Sequence, residues 1–363
     1  VPNKEFEKTL AEEFSKITRK DYLTVAGNHE AFQGDLSPYY DYFGSATYHL
    51  EYGNSLVVVL NSSLGQSISH SDSTQFDYLQ KVLNNNSKQN VIVATHVTPR
   101  DIWGTGHEME QADVEMLEGI LGDYKKNNPE KNIHVMTGHL HVAEKWEKDG
   151  VLYTINGEGA LKKYVPNENG NLLGTSVLQI RDQETTWKFV PYLTDMYIHD
   201  DTFQVNEKTL DIAKGASRQL DVYGDFRELR ANYFVSLMQL NKDGLLDLRF
   251  ISSNPDVIEI GEHNEIIAKQ IGEAEVYAVI GESLYLDDET YDKRSEPIAV
   301  RVVDPESVDI YKLDVSPLQD TVNVGDEIII NATATDYYGN KFAIDASLLY
   351  YKPNPFVTIK DGK

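Results

Sequence analysis

The sequence predicts an α/β (α+β) domain followed by an all-β sandwich, and three observations carry that expectation. Up to about residue 199, short apolar runs of strand length alternate with stretches of helical periodicity. Beyond about residue 200, helical periodicity fades, and β-branched and aromatic runs are separated by turn signals. The chain has 363 residues, 40% of them hydrophobic, which is enough for two or three packed domains and excludes wholesale disorder.

Each element follows from its pattern. Phe6, Leu10, Phe14 and Ile17 fall at helical spacing in a charged stretch. Tyr22-Leu23-Thr24-Val25 reads as a short strand ending at Gly27, and Ser55 to Leu60 as another. Asp72 and Gln75 have the spacing of a capping box, and Phe76, Leu79 and Leu83 continue as an amphipathic helix. Val91 to Ala94 predicts a buried strand. Val114, Leu117, Leu121 and Tyr124 predict a helix, and Ile133 to Met136 the next strand. In the second half, Leu220 to Val222, Val276 to Ile280 and Ile298 to Val302 suit strands. Turns are expected at Lys242-Asp243-Gly244 and Ser252-Ser253-Asn254-Pro255. Val322-Asn323-Val324-Gly325-Asp326 followed by Ile328 to Ile330 parallels Ile212 to Gly215 followed by Leu220, a weak internal repeat. The expected domains are therefore 1–199, 200–303 and a partial third at 304–363.

Composition removes several function classes. A net charge of −25 disfavours general nucleic-acid binding, because phosphate backbones are repelled at long range. No cysteine is present, which excludes disulfides, zinc–thiolate sites and cysteine nucleophiles. No apolar run approaches the roughly 20 residues of a membrane span. Val1 opens without a signal-peptide pattern, so the chain reads as a piece of a longer protein.

Three histidine motifs each follow a predicted strand: Gly27-Asn28-His29-Glu30, His96, and Gly138-His139-Leu140-His141. Ligands of α/β sheets gather outside the carboxyl ends of strands, so the three exits can converge. Imidazole is a common transition-metal ligand, and an amide oxygen can complete a cation site. Each motif also has a plainer reading. His96 alone can serve a backbone partner, and Gly27 can supply a positive φ in a turn.

In this order the motifs resemble the later motifs of the calcineurin-like metallophosphoesterases, and the stretch from Asp72 to Leu83 with Gln75 and Leu79 is similar too. The resemblance covers about residues 20 to 180. It implies a four-layer sandwich of two mixed sheets flanked by helices, with two divalent ions (manganese, iron or zinc) between strand exits. Asn28, His96 and His139 would bind one metal and His141 the other. His29 would be catalytic, beside the leaving-group oxygen as general acid or electrostatic stabiliser. The implied reaction is hydrolysis of phosphomonoesters or phosphodiesters by a hydroxide activated between the metals. The family's earlier Asp-x-His and Gly-Asp motifs do not precede Gly27, and Gly34-Asp35 comes too late in order. Those ligands are expected on a missing N-terminal segment of the same domain, without which this chain would hold one metal weakly at most and show little phosphatase activity. The alternative is a surface-binding or structural module without catalysis.

Residues 202–303 resemble bacterial immunoglobulin-like domains through Ile212-Ala213-Lys214-Gly215, Phe250 to Val257 and Gln270-Ile271-Gly272-Glu273-Ala274. That resemblance implies spacers of an extracellular or cell-surface protein, with cell-wall components as partners. Leu286-Asp287-Asp288-Glu289 reads as a calcium-attracting or a solvated acidic loop. His107 and Trp103 lie in the loop after the His96 strand, and Asn156-Gly157-Glu158-Gly159 reads as a tight turn. Each has a reading as a substrate contact beside an ordinary loop or packing role.

Overall fold

The computed structural model describes residues 2–17, 22–157, 164–181, 184–199, 209–227, 232–281, 285–286, 289–290, 293–317, 326–336 and 339–351. It is a mixed α/β structure, mostly sheet with few helices. It divides into two compact units: the first runs to Tyr192 and takes back Asp243–Leu246, and the second is built from Leu193 onward. Asp287, Asp288, Glu158, Gly159 and the repeat segment Val322 to Gly325 lie outside the described residues.

The first unit begins with helices α1 (Pro2–Ile17) and α2 (Ser37–Phe43), then strands β1 (Tyr48–Tyr52) and β2 (Ser55–Val59). Helices α3 (Ile68–Ser71) and α4 (Gln75–Asn84) lead to β3 (Asn90–Ala94), and α5 (Gln111–Asn127) leads to β4 (Asn132–Thr137). Strands β5 (Ala143–Lys148) and β6 (Val151–Asn156) follow, and then β7 (Gly174–Arg181) and β8 (Glu184–Pro191). The sheet order is β1-β2-β3-β4-β6-β5. Pairings within β2-β3-β4-β6 are parallel, and the two edge strands are antiparallel. Strands β7 and β8 form a separate hairpin.

Parallel strands covered by helices should read as continuous apolar runs, and β2 and β3 do. Val58, Val91, Val93 and Val135 are fully buried in one cluster with Phe76, Leu79 and Leu83 of α4 and Leu117 and Leu121 of α5. Each such side chain contributes about 1.5–3 kcal/mol by leaving water, so this cluster fixes the strands and therefore their exits.

Two local expectations are corrected. Residues 22–27 are irregular, not a strand. A ladder needs a neighbouring backbone, and among the described residues the Thr24 backbone pairs with a side chain instead. The Thr24 N–H donates to the Tyr48 hydroxyl at 3.1 Å, and that hydroxyl donates to the Thr24 carbonyl at 2.8 Å. Asp72 and Gln75 do not form a capping box. Asp72 Oδ1 accepts from the N–H and hydroxyl of Thr74, both at 2.8 Å, which closes a local turn before α4. Gln75 is buried and bonds elsewhere.

The second unit has one mixed sheet in the order Thr209–Ala213, Ile298–Val303, Gly272–Ile280, Leu248–Ser252. The first of these pairs is parallel and the other two are antiparallel. The strands expected at Val276 to Ile280 and Ile298 to Val302 lie within it. A six-stranded sheet places Ile310–Pro317, Ile330–Asp336 and Lys341–Ile344 beside Ser217–Gln219, Glu265–Ala268 and Ile258–Ile260. Among the described residues, no helix is long and apolar enough to cross a membrane.

Candidate metal centre

The carboxyl ends of β3 and β4 lie side by side, because the two strands pair in parallel from Asn90↔Asn132 to Ala94↔Met136. His96 follows β3 by two residues and His139 follows β4 by two. The exits are tied together, since the Gly138 N–H donates to the His96 carbonyl at 2.9 Å. The residues on either side of His96 are held by one hydroxyl: Ser62 Oγ accepts from Thr95 Oγ1 at 2.8 Å and from the Val97 N–H at 3.0 Å. Ser62 is itself steadied through its neighbour. The buried Gln75 amide accepts from the Asn61 N–H at 2.7 Å and from Thr47 Oγ1 at 2.7 Å, and donates to the Asn61 and Ile68 carbonyls at 2.9 Å each. All four of its hydrogen-bonding capacities are used.

His139 and His141 both have left-handed backbones, with φ of 66° and 58°. Such angles are uncommon outside glycine and concentrate at functional sites. A γ-turn centred on His139, in which the Leu140 N–H donates to the Gly138 carbonyl at 2.8 Å, drives fully buried Leu140 into a small core with Val142 and Ile155.

The Asn28 turn reaches the same place. Gly27 is not in the left-handed region, so the expectation that it supplies positive φ is corrected. Its need is close approach: a Cβ there would lie 2.9 Å from His96 Cε1 and 2.9 Å from Glu30 Oε2. Glu30 Oε2 accepts the Gly27 N–H at 2.8 Å, which closes the turn that presents Asn28.

His96 Nε2 lies 3.0 Å from Asn28 Oδ1 and 3.0 Å from His139 Nδ1. A divalent ion bonded at about 2.0–2.2 Å sets adjacent ligand atoms about 3.0–3.5 Å apart, so the spacing fits one ion. Burial, joined by the charges of His139, His141 and His29, pushes His96 down to about 3. Burial, with His107, His141 and His29, pushes His139 down to about 4. Both rings are therefore neutral at pH 7, the protonation state in which imidazole binds metal. The other ring nitrogen of His139, Nε2, is buried with no hydrogen-bond partner.

His29 is exposed, and His141 is half-buried with its ring 4.9 Å from that of Tyr164. Both act electrostatically on the central pair, so the five sequence-predicted residues gather at one end of the sheet. Direct contact is made by Asn28, His96 and His139. The set is poor in charge. Among the described residues, no group of three or more His, Cys, Asp or Glu side chains could hold a metal ion. Sequence reasoning missed Gln75 and Ser62 as braces and gave Tyr164 no role. Only proximity in space reveals them.

No family model matches the chain, and no curated protein matches it. Among solved structures it is similar to surface layer protein SbsC, domains 4–9, at 12% identity and a TM-score of 0.23. The match covers 54% of this chain, which spans 26% of that one. A likeness of that size carries no argument about either unit.

Proposed function

We propose that the first unit is a metal-dependent hydrolase of phosphomonoesters or phosphodiesters, organised as the calcineurin-like four-layer sandwich. The observation that supports this most is the meeting of Asn28 Oδ1, His96 Nε2 and His139 Nδ1, from three distant segments, at the spacing of ligands around one ion. On this reading these three hold one divalent ion and His141 holds a second. Divalent ions at such a site neutralise phosphoryl charge and acidify water. His29, exposed beside Asn28, holds a proton at the leaving-group oxygen. Leu140 and the bond between the two strand exits keep the histidine turns fixed while substrate binds. The second unit would act as an immunoglobulin-like spacer of an extracellular or surface protein, with cell-wall components in reach.

The test is hydrolysis of a chromogenic phosphodiester with saturating manganese, by the parent protein and by its His29→Ala variant. The expected result is metal-dependent turnover that falls about 10²–10⁴-fold in His29→Ala. The sparse charge of the ligand set favours a second reading, a surface-binding module without catalysis. Equal, metal-independent rates in both proteins would select it.

A further inference from the structure

The loop that follows β3 builds a hydrogen-bond relay onto another imidazole. Asp101 Oδ2 accepts from the Thr105 N–H at 2.6 Å, the Thr105 hydroxyl at 2.8 Å and the Gly106 N–H at 3.0 Å. Its Oδ1 takes the Trp103 N–H at 2.9 Å. Burial acts to raise this carboxyl, but the bonds from Thr105, Trp103 and His107 outweigh it and hold it below its ordinary range. The carboxylate is a fixed anchor for the whole loop.

That anchor fixes the tautomer of His107. The Thr105 hydroxyl has committed its proton to Asp101, so toward His107 Nδ1, 2.8 Å away, it can only accept. The Thr105 carbonyl, 3.1 Å from the same nitrogen, also only accepts. Nδ1 therefore carries the proton of the neutral ring, and Nε2 presents its lone pair. Among the described residues, no hydrogen bond reaches that nitrogen. The half-buried ring lies with its centroid 5.2 Å from His139 and 3.7 Å from Tyr164, so the acceptor sits at the edge of the candidate centre beside an aromatic wall.

A lone pair repels an anionic phosphoryl oxygen and attracts a hydroxyl proton. We propose that His107 is a specificity-determining residue whose Nε2 accepts a hydrogen bond from a hydroxyl on the alcohol part of the substrate. The substrate class is then the phosphoester of a polyol. The inference rests on the phosphoesterase reading for the phosphoryl end of the ligand. The hydroxyl end rests on the relay alone.

Two ligands isolate the hydroxyl contribution: glycerol 1-phosphate and propyl phosphate share a carbon chain and a phosphate and differ in the two hydroxyls of glycerol. Their binding to the full chain is measured by calorimetry, with and without manganese, for the unaltered protein, His107→Phe and Thr105→Val. His107→Phe keeps a flat ring and removes the lone pair, whereas Thr105→Val removes the hydroxyl of the relay and leaves the imidazole. The expected result is about tenfold tighter binding of glycerol 1-phosphate, the worth of one such bond. That preference should vanish in His107→Phe and weaken in Thr105→Val. Propyl phosphate affinity should stay within about twofold, and manganese stoichiometry should be unchanged. Equal affinity of the unaltered protein for the two ligands overturns the inference, as does a preference that survives His107→Phe. Loss of manganese from His107→Phe overturns it too, because Nε2 would then be a metal ligand. An intact preference without any hydrolysis supports the inference and refutes the phosphoesterase reading.

Discussion

Gln75→Met tests how the His96 strand exit is held. Methionine nearly preserves side-chain volume, so the change removes hydrogen bonds and little packing. Four bonds go, but their loss is unequal. The Ile68 carbonyl still accepts from the Asp72 N–H at 3.0 Å, and Thr47 is half-buried, so its hydroxyl can turn to water. The Asn61 N–H and carbonyl are left buried without partners. At about 1–3 kcal/mol for each orphaned group, the cost is about 2–6 kcal/mol, a large share of the stability of an ordinary domain. Trp103, Trp146 and Trp187, the three tryptophans of the chain, all lie in the first unit, so urea unfolding followed by tryptophan fluorescence reports that unit alone. Gln80→Met on the exposed side of α4 is the control and should change stability by less than about 0.5 kcal/mol. A loss below 1 kcal/mol in Gln75→Met, or an equal loss in the control, would refute the bracing role.

Other outcomes follow from the same geometry. Gly27→Ala should displace the His96 ring and weaken divalent-metal binding by about 10–100-fold, measured by calorimetry; unchanged affinity would deny the close approach at 2.9 Å. Asn28→Asp adds the negative charge that the ligand set lacks and should tighten manganese binding by about tenfold or more; weaker binding would place Asn28 away from the ion. Burial holds His134, in β4, down to about 4. Between pH 6.5 and 4 the unfolded chain therefore binds more protons than the folded one. This contribution is complete above pH 6.5 and is lost as pH falls, by about 3 kcal/mol at most. His134→Leu should show a shallower acid slope in unfolding free energy, and an unchanged slope would contradict the assignment.

Much of the fold was legible because period and burial agree. The run Val91 to Ala94 and the α5 stripe of Val114, Leu117 and Leu121 meet in one core, as apolar strands under amphipathic helices must. The positions of His96 and His139 were legible for a related reason: each follows a strand whose end could be read, whereas Asn28 follows an irregular segment that only looked like one. What could not be read depends on partners in space. Tyr22 to Val25 has strand composition, but its backbone bonds go to the Tyr48 side chain. Gln75 has the spacing of a cap, yet its amide turns inward to Asn61. Gly27 looked like a φ-driven glycine, whereas its constraint is the His96 ring. The tautomer of His107 depends on Asp101 through Thr105, a relay that spacing alone does not reveal.

The most direct measurement is an anomalous-scattering map from crystals soaked in manganese. A peak about 2.0–2.3 Å from Asn28 Oδ1, His96 Nε2 and His139 Nδ1 together is the predicted result. A map with no peak among those atoms at saturating manganese, or with manganese bound only elsewhere, would contradict the metal centre and the hydrolase built on it.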